Sequence, residues 1–555
     1  MIATMAAVGS GVQPVDLTLL APPLVTALGA LVVLVADVLR PGAGRGPRPA
    51  PWLSWLTGAV LVVAAARLLV VSLLDSPAGT FCLGAGSGDG RVCSYDTGGP
   101  TLPLQWLVLA AGLLVVTLGA AEVERRRLPA GEYYFLLLAS ITGALVVVAS
   151  RDLATTVVAL ETVTLPLVAL VALSRKARGA QAALSLFLSS VVSLTVSLYG
   201  VALLYTVTGT LHYAPMAAAL AAADPVPAIA SLGALLVLAV FVFKVAAVPF
   251  HAWAPDTYAG SPVPVAAYLS VVSKTAGLGA LAVLLSDAMP SLARSWGFGL
   301  AAVVLATFVV GNVLALRQSS LVRLLAWSSV AQLGFVLLPL AAVGVGSAGA
   351  SAAAMTEAVD ASVGYLAAYA AMTLACWAVV MVVVSRLRPP DGVLLIEAVR
   401  GLARTSPWLG GSLVFALAAL AGLPPGVIGL LVKVRVFQSA VGSQSWLLVA
   451  VGVAATVVGL LYYLRVAAVL LAAPAPARVA PPVPATTGSE APSPAAAGAA
   501  VAADPTGGGN AGPDPAGAVP GQVPDPTDGE QDPAITERDP VGAWFTVAAA
   551  TLVLV

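Results

Sequence analysis

Long apolar stretches, separated by short polar segments, run through almost the whole of this 555-residue chain. A helix that crosses the hydrocarbon core of a bilayer needs about 20 predominantly apolar residues, and about fourteen stretches come near that length. They lie near residues 17–39, 52–74, 102–121, 133–150, 152–174, 183–208, 226–248, 262–285, 297–316, 320–342, 361–385, 409–437, 444–471 and 542–555. The sequence therefore predicts an all-α, polytopic membrane protein with about fourteen transmembrane helices.

The composition agrees with this fold class and excludes others. Only 9% of the residues are charged and 59% are hydrophobic, whereas a soluble domain carries roughly 25% charged residues. The formal net charge of zero gives no reason to expect a nucleic-acid partner. Three Cys and two His, without a CxxC pair or a His/Cys cluster, predict no metal, haem or iron–sulfur site in this chain.

Basic residues predict the orientation. Their clusters follow odd-numbered predicted helices, whereas the alternate loops carry only stray basic residues such as Arg91 and Arg294. The clusters comprise Arg40, Arg45, Arg48, Arg125, Arg126, Arg127, Arg175, Lys176, Arg178, Arg317, Arg386, Arg388, Arg400 and Arg404. By the positive-inside rule these loops are cytoplasmic. We therefore expect a multi-pass protein of the bacterial inner membrane with both termini outside.

Three segments differ from the apolar helices. The N-terminus lacks the basic region of a cleaved signal peptide, so the first helix is expected to be retained. The outer loop at 75–101 holds Cys82 and Cys93, which in an oxidising compartment are either paired or two free thiols. Residues 473–541 are rich in Ala, Pro and Gly and predict a disordered cytoplasmic linker before a short last helix at 542–555.

Lysine placement is the strongest functional signal. The chain has four lysines against 22 arginines, yet Lys244, Lys274 and Lys433 all fall inside apolar spans. Arginine cannot give up its proton, whereas a desolvated lysine can alternate between charged and neutral forms. A charge inside a membrane costs at least about 2.5 kcal/mol on insertion scales. These three lysines are therefore predicted to carry protons.

Glu161 is the matching acid, in a predicted helix with no other ionisable group. A glutamate facing Lys244 would hold that lysine charged, and separating the two would release its proton. The alternative is a static ion pair that only joins two helices.

Prolines interrupt two of the lysine-bearing helices. Lys244 lies five residues before Pro249, and Lys433 lies eight after Pro425. Broken helices at membrane depth are tolerated where they line a polar cavity, and transporters use them at corresponding places of inverted repeats. We predict a first repeat at 122–285 (helices 4–8) and an inverted second at 286–472 (helices 9–13). Residues 1–121 would form a separate N-terminal group of three helices.

The same segments carry a family resemblance. The run KVAAVPFHAWAPDTYAGSPVPVAAYLSVVSKTAG (244–277), RLLAWSSVAQLGFVLL (323–338) and AGLPP (421–425) resemble the antiporter-like subunits of respiratory complex I and of multi-subunit cation/proton antiporters. Lysines on helices eight and twelve make the chain most similar to the subunit N group of complex I. Gln332 departs from the pattern, since family members often have histidine at its position.

The resemblance implies a proton relay in a membrane-arm subunit of a proton-pumping NADH:quinone oxidoreductase. Glu161 and Lys244 would form the first pair, Lys274 the central relay and Lys433 the outer exit; His251 would assist proton uptake or merely cap a broken helix. NADH, FMN, iron–sulfur clusters and quinone would belong to partner subunits. The alternatives are a subunit of a multi-subunit Na⁺/H⁺ antiporter and a structural scaffold with static ion pairs.

Overall fold

The computed structural model describes residues 15–39, 51–74, 78–83, 92–174, 177–388 and 393–474. The predicted linker, apart from residues 473 and 474, and the predicted last helix at 542–555 lie outside these residues. The described residues form a helical bundle with one small hairpin. Its helices are α1 (Leu17–Val38), α2 (Pro51–Ser72), α3 (Thr101–Arg125), α4 (Ala130–Val147), α5 (Leu153–Ala172), α6 (Ala177–Thr208), α7 (Tyr213–Ala222), α8 (Ala228–Val245), α9 (Trp253–Gly260), α10 (Val263–Val283), α11 (Ala293–Leu316), α12 (Leu321–Val345), α13 (Ala352–Leu387), α14 (Leu402–Thr405), α15 (Pro407–Ala421), α16 (Val427–Gly442) and α17 (Trp446–Leu471).

Within the described part of the chain, twelve helices are long and apolar enough to cross a membrane. They coincide with the predicted spans, and the remaining predicted span at 409–437 corresponds to the shorter helices α15 and α16. The prediction of an all-α polytopic fold is thus confirmed. The domain boundaries at 121, 285 and 472 stay predictions.

Both interrupted helices occur where the prolines predicted them. Helix α8 ends at Val245, Ala246 takes a left-handed conformation (φ 60°), and the chain turns through Pro249 before α9. Helix α15 ends at Ala421, and Gly422 (φ +85°) provides the left-handed C-cap that glycine adopts without a Cβ clash. Since proline has no N–H and clashes with the preceding turn, neither helix can continue through these positions.

Two helices form the centre of the bundle. Every residue of α10 is buried, and so is every residue of α12 except Arg323 and Val345. Helix α10 packs against α3, α8 and α13, while α12 packs against α11, α13 and α16. A buried polar side chain on either helix must therefore find its partner inside the protein, among protein groups or bound water, because it does not face bulk water or a headgroup.

A short hairpin lies outside the helices, within the predicted loop at 75–101. Strand β1 (Gly79–Leu83) pairs antiparallel with β2 (Val92–Asp96), and Cys82 opposite Cys93 forms a disulfide. Tyr95 of β2 accepts a hydrogen bond from Gln105 Nε2 of α3 at 2.9 Å, which fixes the hairpin to the bundle. Burial raises the pKa of Tyr95 to about 12, so its phenol stays neutral at physiological pH.

Thiol counting tests the disulfide, which the sequence alone left open. We expect one reactive thiol, Cys376, when the chain is denatured without reductant, and three after reduction, since the chain contains three cysteines. Mass spectrometry after maleimide labelling measures the number. Three labels without reductant would show that the bond is absent.

Candidate functional site

The three predicted lysines all lie inside the bundle. Their exposed fractions are 2% for Lys244, 0% for Lys274 and 4% for Lys433. Lys244 belongs to the last turn of α8, Lys274 to the middle of α10 and Lys433 to the second turn of α16. Each lysine therefore has to be stabilised by the protein groups around its amino group.

Lys244 is held by a neutral side chain. Its Nζ donates a hydrogen bond to Thr164 Oγ1 on α5. Glu161 lies one helical turn earlier on α5, where its carboxylate acts electrostatically on Lys244. The ion pairs among the described residues do not include Lys244 with Glu161, and Glu161 Oε1 is buried without a hydrogen-bond partner among those residues. The acid and the amine are thus near each other but separate in this structure.

Lys274 also has a neutral partner. Its Nζ donates to Ser329 Oγ on α12, and Tyr369 OH of α13 donates to the same oxygen at 2.9 Å. The amino group lies 5.9 Å from the centre of the Tyr369 ring, within the range of a cation–π contact. A hydroxyl, a phenol and an aromatic face can stabilise an ammonium, and they also tolerate a neutral amine.

Lys433 occupies the end of a broken helix. Its Nζ donates to the backbone carbonyls of Leu420 and Ala421, both at 2.9 Å, and lies 5.1 Å from the centre of the Phe335 ring. The last carbonyls of α15 have no partner within their own helix and carry the negative end of its dipole. The interruption thus supplies the acceptors that a buried ammonium requires.

Gln332 connects the surroundings of Lys433 with a group of tyrosines. Its Nε2 donates to Leu420 O at 3.3 Å, the same carbonyl that Lys433 uses, and to Tyr463 OH at 2.9 Å. Tyr365 OH donates to Gln332 Oε1. Gln332 and Ser329 lie one turn apart on α12, so the network around Lys433 reaches within one helical turn of the partner of Lys274.

A close helix contact brings Lys244 near Lys274. A Cβ atom added to Gly277 of α10 would come within 2.7 Å of Lys244 Cβ. Gly277 lies one turn after Lys274, and small residues at such positions allow membrane helices to approach closely. Gly277 therefore determines how closely Lys244 of α8 can approach Lys274 of α10.

Replacing Gly277 with valine should push α8 away from α10. Overpacking of this kind typically lowers the free energy of unfolding by about 1–3 kcal/mol, and the longer gap between the lysines should reduce proton translocation. Denaturant unfolding and pumping assays on reconstituted complex measure the two effects. The matched control is Gly364→Val on α13, where an added Cβ meets nothing within 4 Å; equal effects of both variants would contradict a specific role for Gly277.

Helix α13 carries a buried polar stripe at intervals of four residues. Tyr365 and Tyr369 donate hydrogen bonds to Gln332 and Ser329, as described above. Thr373 Oγ1 and Trp377 Nε1 continue the stripe but have no hydrogen-bond partner among the described residues. Tyr258 of α9, whose ring centre lies 6.0 Å from that of Trp377, has an equally unpartnered hydroxyl. Buried polar groups of this kind are usually satisfied by bound water.

The remaining predicted residue, His251, and the buried acid Asp152 lie at the edges of this interior. His251 is half-buried in the turn between α8 and α9, where its Nδ1 lies 3.2 Å from Pro249 O and its ring centre 5.6 Å from that of Trp327. Asp152 is the N-cap of α5, since its carboxylate accepts from Thr155 N at 2.7 Å. No group of three or more His, Cys, Asp or Glu side chains suited to a metal ion occurs in the described ranges.

Sequence reasoning missed several of the partners. Thr164, Tyr369 and Gly277 cannot be picked out, because nothing in the local sequence distinguishes them from the other threonines, tyrosines and glycines of the apolar stretches. Gln332 stands out in the sequence only because family members often have histidine at its position. The spacing of Tyr365, Tyr369, Thr373 and Trp377 was a usable signal, because residues four apart share one face of a helix.

Comparison with known proteins decides the family. Residues 150–459 match the model described as NADH:quinone oxidoreductase/Mrp antiporter, TM. NADH-quinone oxidoreductase subunit N 2 of Streptomyces griseus is 45% identical over 84% of each chain. The chain is a member of the NADH-quinone oxidoreductase subunit N family. Subunit N of Salinispora tropica is 43% identical over 84% of this chain and 87% of its own length.

A solved structure supports the fold of this subunit N family member. A chain of respiratory complex I from Thermus thermophilus superimposes with a TM-score of 0.64 at 29% identity, covering 83% of this chain and 92% of that chain. The recognition made from the lysine-bearing motifs is therefore confirmed. Membership in this family also identifies the chain as a multi-pass membrane subunit of a translocase. The chain works with other membrane-arm subunits.

Proposed function

We propose that this chain carries protons across the bacterial inner membrane through Lys244, Lys274 and Lys433, with Glu161 controlling the first of them. The observation that carries the proposal is the burial of three lysines whose hydrogen bonds to described residues all go to neutral oxygens. A permanent structural cation would be better served by a carboxylate partner. Neutral acceptors allow each amine to exist with or without its extra proton.

The relay follows the packing of the helices. Protons are taken up from the cytoplasm, pass between Lys244 and Lys274 across the contact at Gly277, and leave through Lys433 on the outer half of the interrupted helix. Ser329 and Gln332, one turn apart on α12, join the central lysine to the last one. Glu161 stabilises the protonated form of Lys244 while the two are near each other, and loses that effect when they separate.

Uptake is best supported along α9 and α13. The unpartnered groups of Thr373 and Trp377 lie on the part of α13 that leads from Tyr369 towards its C-terminal end, and the unpartnered Tyr258 of α9 lies against Trp377. By the positive-inside rule that end is cytoplasmic and both chain termini are outside. Water bound to these groups would connect the cytoplasm with the partners of Lys274, as a second entrance beside the one at Lys244. His251, in the nearby turn, would assist this uptake.

The energy comes from elsewhere in the complex. NADH, FMN, iron–sulfur clusters and quinone bind to partner subunits, and their electron transfer drives this chain by a conformational or electrostatic signal from a neighbour. A Na⁺/H⁺ antiporter subunit is the alternative, since the matching family model covers both kinds of protein. The relatives at 45% and 43% identity, both named subunit N, favour the NADH:quinone oxidoreductase.

Removing one hydroxyl from the uptake path tests the proposal. Thr373→Val keeps the shape of the side chain but deletes the hydroxyl group, so we expect several-fold slower proton uptake by the complex in proteoliposomes during NADH oxidation. Thr356→Val on the exposed part of α13 is the matched control, because its hydroxyl only returns to Ala352 O of its own helix. Equal pumping by Thr373→Val and Thr356→Val would contradict the proposed uptake path along α9 and α13. Pumping that depends on Na⁺ would favour the antiporter.

A further inference from the structure

Helix α16 carries two cations that point in opposite directions. Lys433 is buried, whereas Arg435, two residues later, is exposed on the outward face of the helix. Gln438 is exposed one turn further along the same face. The surrounding outward side chains are apolar, with Leu431 57% exposed and Val434 42% exposed. A permanent charge thus lies on an otherwise apolar surface at the level of the membrane.

The position of Arg435 is unfavourable for a side chain that faces lipid. It lies seven residues before the end of α16 at Gly442, which is about 10 Å below that end at 1.5 Å per residue. Arginine remains charged under all physiological conditions. Ionisable residues in transmembrane segments nearly always face protein or a water-filled cavity and pair with another group, yet no hydrogen bond or ion pair joins Arg435 to any described residue.

We propose that the outward face of α16 is an interaction surface for a transmembrane helix of a neighbouring subunit, which presents an Asp or Glu carboxylate to Arg435. The guanidinium fork matches a carboxylate in a bidentate arrangement, and such a pair is much stronger in the low dielectric of the membrane than in water. Gln438 offers a second hydrogen-bonding group one turn away. Leu431 and Val434 provide the apolar contact around the pair.

This contact would also connect the neighbour to the relay. Because Arg435 and Lys433 lie on opposite faces of one turn of the same short helix, a shift of the neighbour's carboxylate moves the helix that carries the last lysine. Arg435 is then a positioning residue rather than a proton carrier. The inference rests on membership in a multi-subunit membrane family and not on the proposed relay, so either can fail alone.

Site-specific crosslinking in the assembled complex tests the surface. A photoreactive phenylalanine analogue at Gln438 should crosslink to one co-purifying membrane subunit, at a peptide from a transmembrane helix that contains Asp or Glu. The same analogue at Val309, which is 59% exposed on α11, should not label that subunit. Crosslinks only to lipid, or to a subunit peptide without an acidic residue, would overturn the proposal.

Charge exchange separates a specific pair from a general packing effect. We expect Arg435→Leu to lower the yield of assembled complex by about tenfold or more, as for other truncated buried charge pairs, and Arg435→Lys to lower it less. Arg294→Leu, which removes an exposed arginine from the first turn of α11, is the control and should assemble normally. Arg435→Glu should fail alone and be rescued when the crosslinked partner's acid is changed to arginine. Full assembly of Arg435→Leu, or no rescue by the exchange, would contradict the pair.

Discussion

Replacement of Lys274 by arginine should abolish proton translocation while the complex still assembles. Arginine keeps the positive charge beside Ser329 and Tyr369 but stays protonated at every physiological pH, so it cannot release a proton on the time scale of turnover. We expect pumping during NADH oxidation to fall at least about 100-fold, in line with the rarity of neutral guanidinium at pH 7. Acidification of proteoliposomes that contain the purified complex measures the loss.

The arginine variant separates a relay from a scaffold. A static ion pair or cation–π contact would survive the change, because charge and approximate size are kept. Lys176→Arg is the control, since this fourth lysine belongs to a predicted cytoplasmic loop. If Lys274→Arg pumped as well as Lys176→Arg, the central lysine would not be a proton carrier, and its burial would need a structural explanation.

Replacement of Glu161 by glutamine should uncouple the first step. Glutamine has nearly the same shape, and helix α5 contains no other ionisable group to act on Lys244. Without the carboxylate, the protonated form of Lys244 loses its electrostatic support and protons no longer load in step with electron transfer. We expect the ratio of protons pumped to NADH oxidised to fall about tenfold, within the range of positioned acid–base groups.

A matched change at the surface controls for the loss of one carboxylate. Glu132→Gln removes an exposed acid from the first turn of α4 and should leave the ratio unchanged. Glu161→Gln also tests stability. Glu161 Oε1 is buried without a partner among the described residues, so removal of the carboxylate should not destabilise the fold. An unaltered proton-to-electron ratio in Glu161→Gln would exclude this residue from the relay.

The order of the helices followed from local sequence features. The lengths of the apolar stretches predicted the transmembrane helices, because a helix satisfies the hydrogen-bonding groups of its own backbone in lipid. Pro249 and Pro425 gave the two interruptions, because a ring without an N–H cannot continue a helix. The buried positions of Lys244, Lys274 and Lys433 also followed directly, since each lies well inside an apolar stretch.

The partners of these residues did not follow from the sequence. Thr164 is 80 residues from Lys244, and Ser329 is 55 residues from Lys274, so no local pattern could pair them. The sequence predicts that Glu161 acts on Lys244, and this stays a prediction. The hydrogen bond of Lys244 goes to Thr164, one turn after Glu161, because the rotation of α5 against α8 decides which side chain reaches the amine.

Amino-acid sequence alone determined which segments enter the membrane, where two of them break and which side chains are ionisable there, because transfer free energy and backbone chemistry depend on local composition. Tertiary packing alone decided that Gly277 brings Lys244 near the central helix, that the carbonyls at the C-terminal end of α15 bind Lys433, and that Arg435 faces outward. Those features depend on helix rotation and close contact between distant segments, which are set by how whole helices fit together.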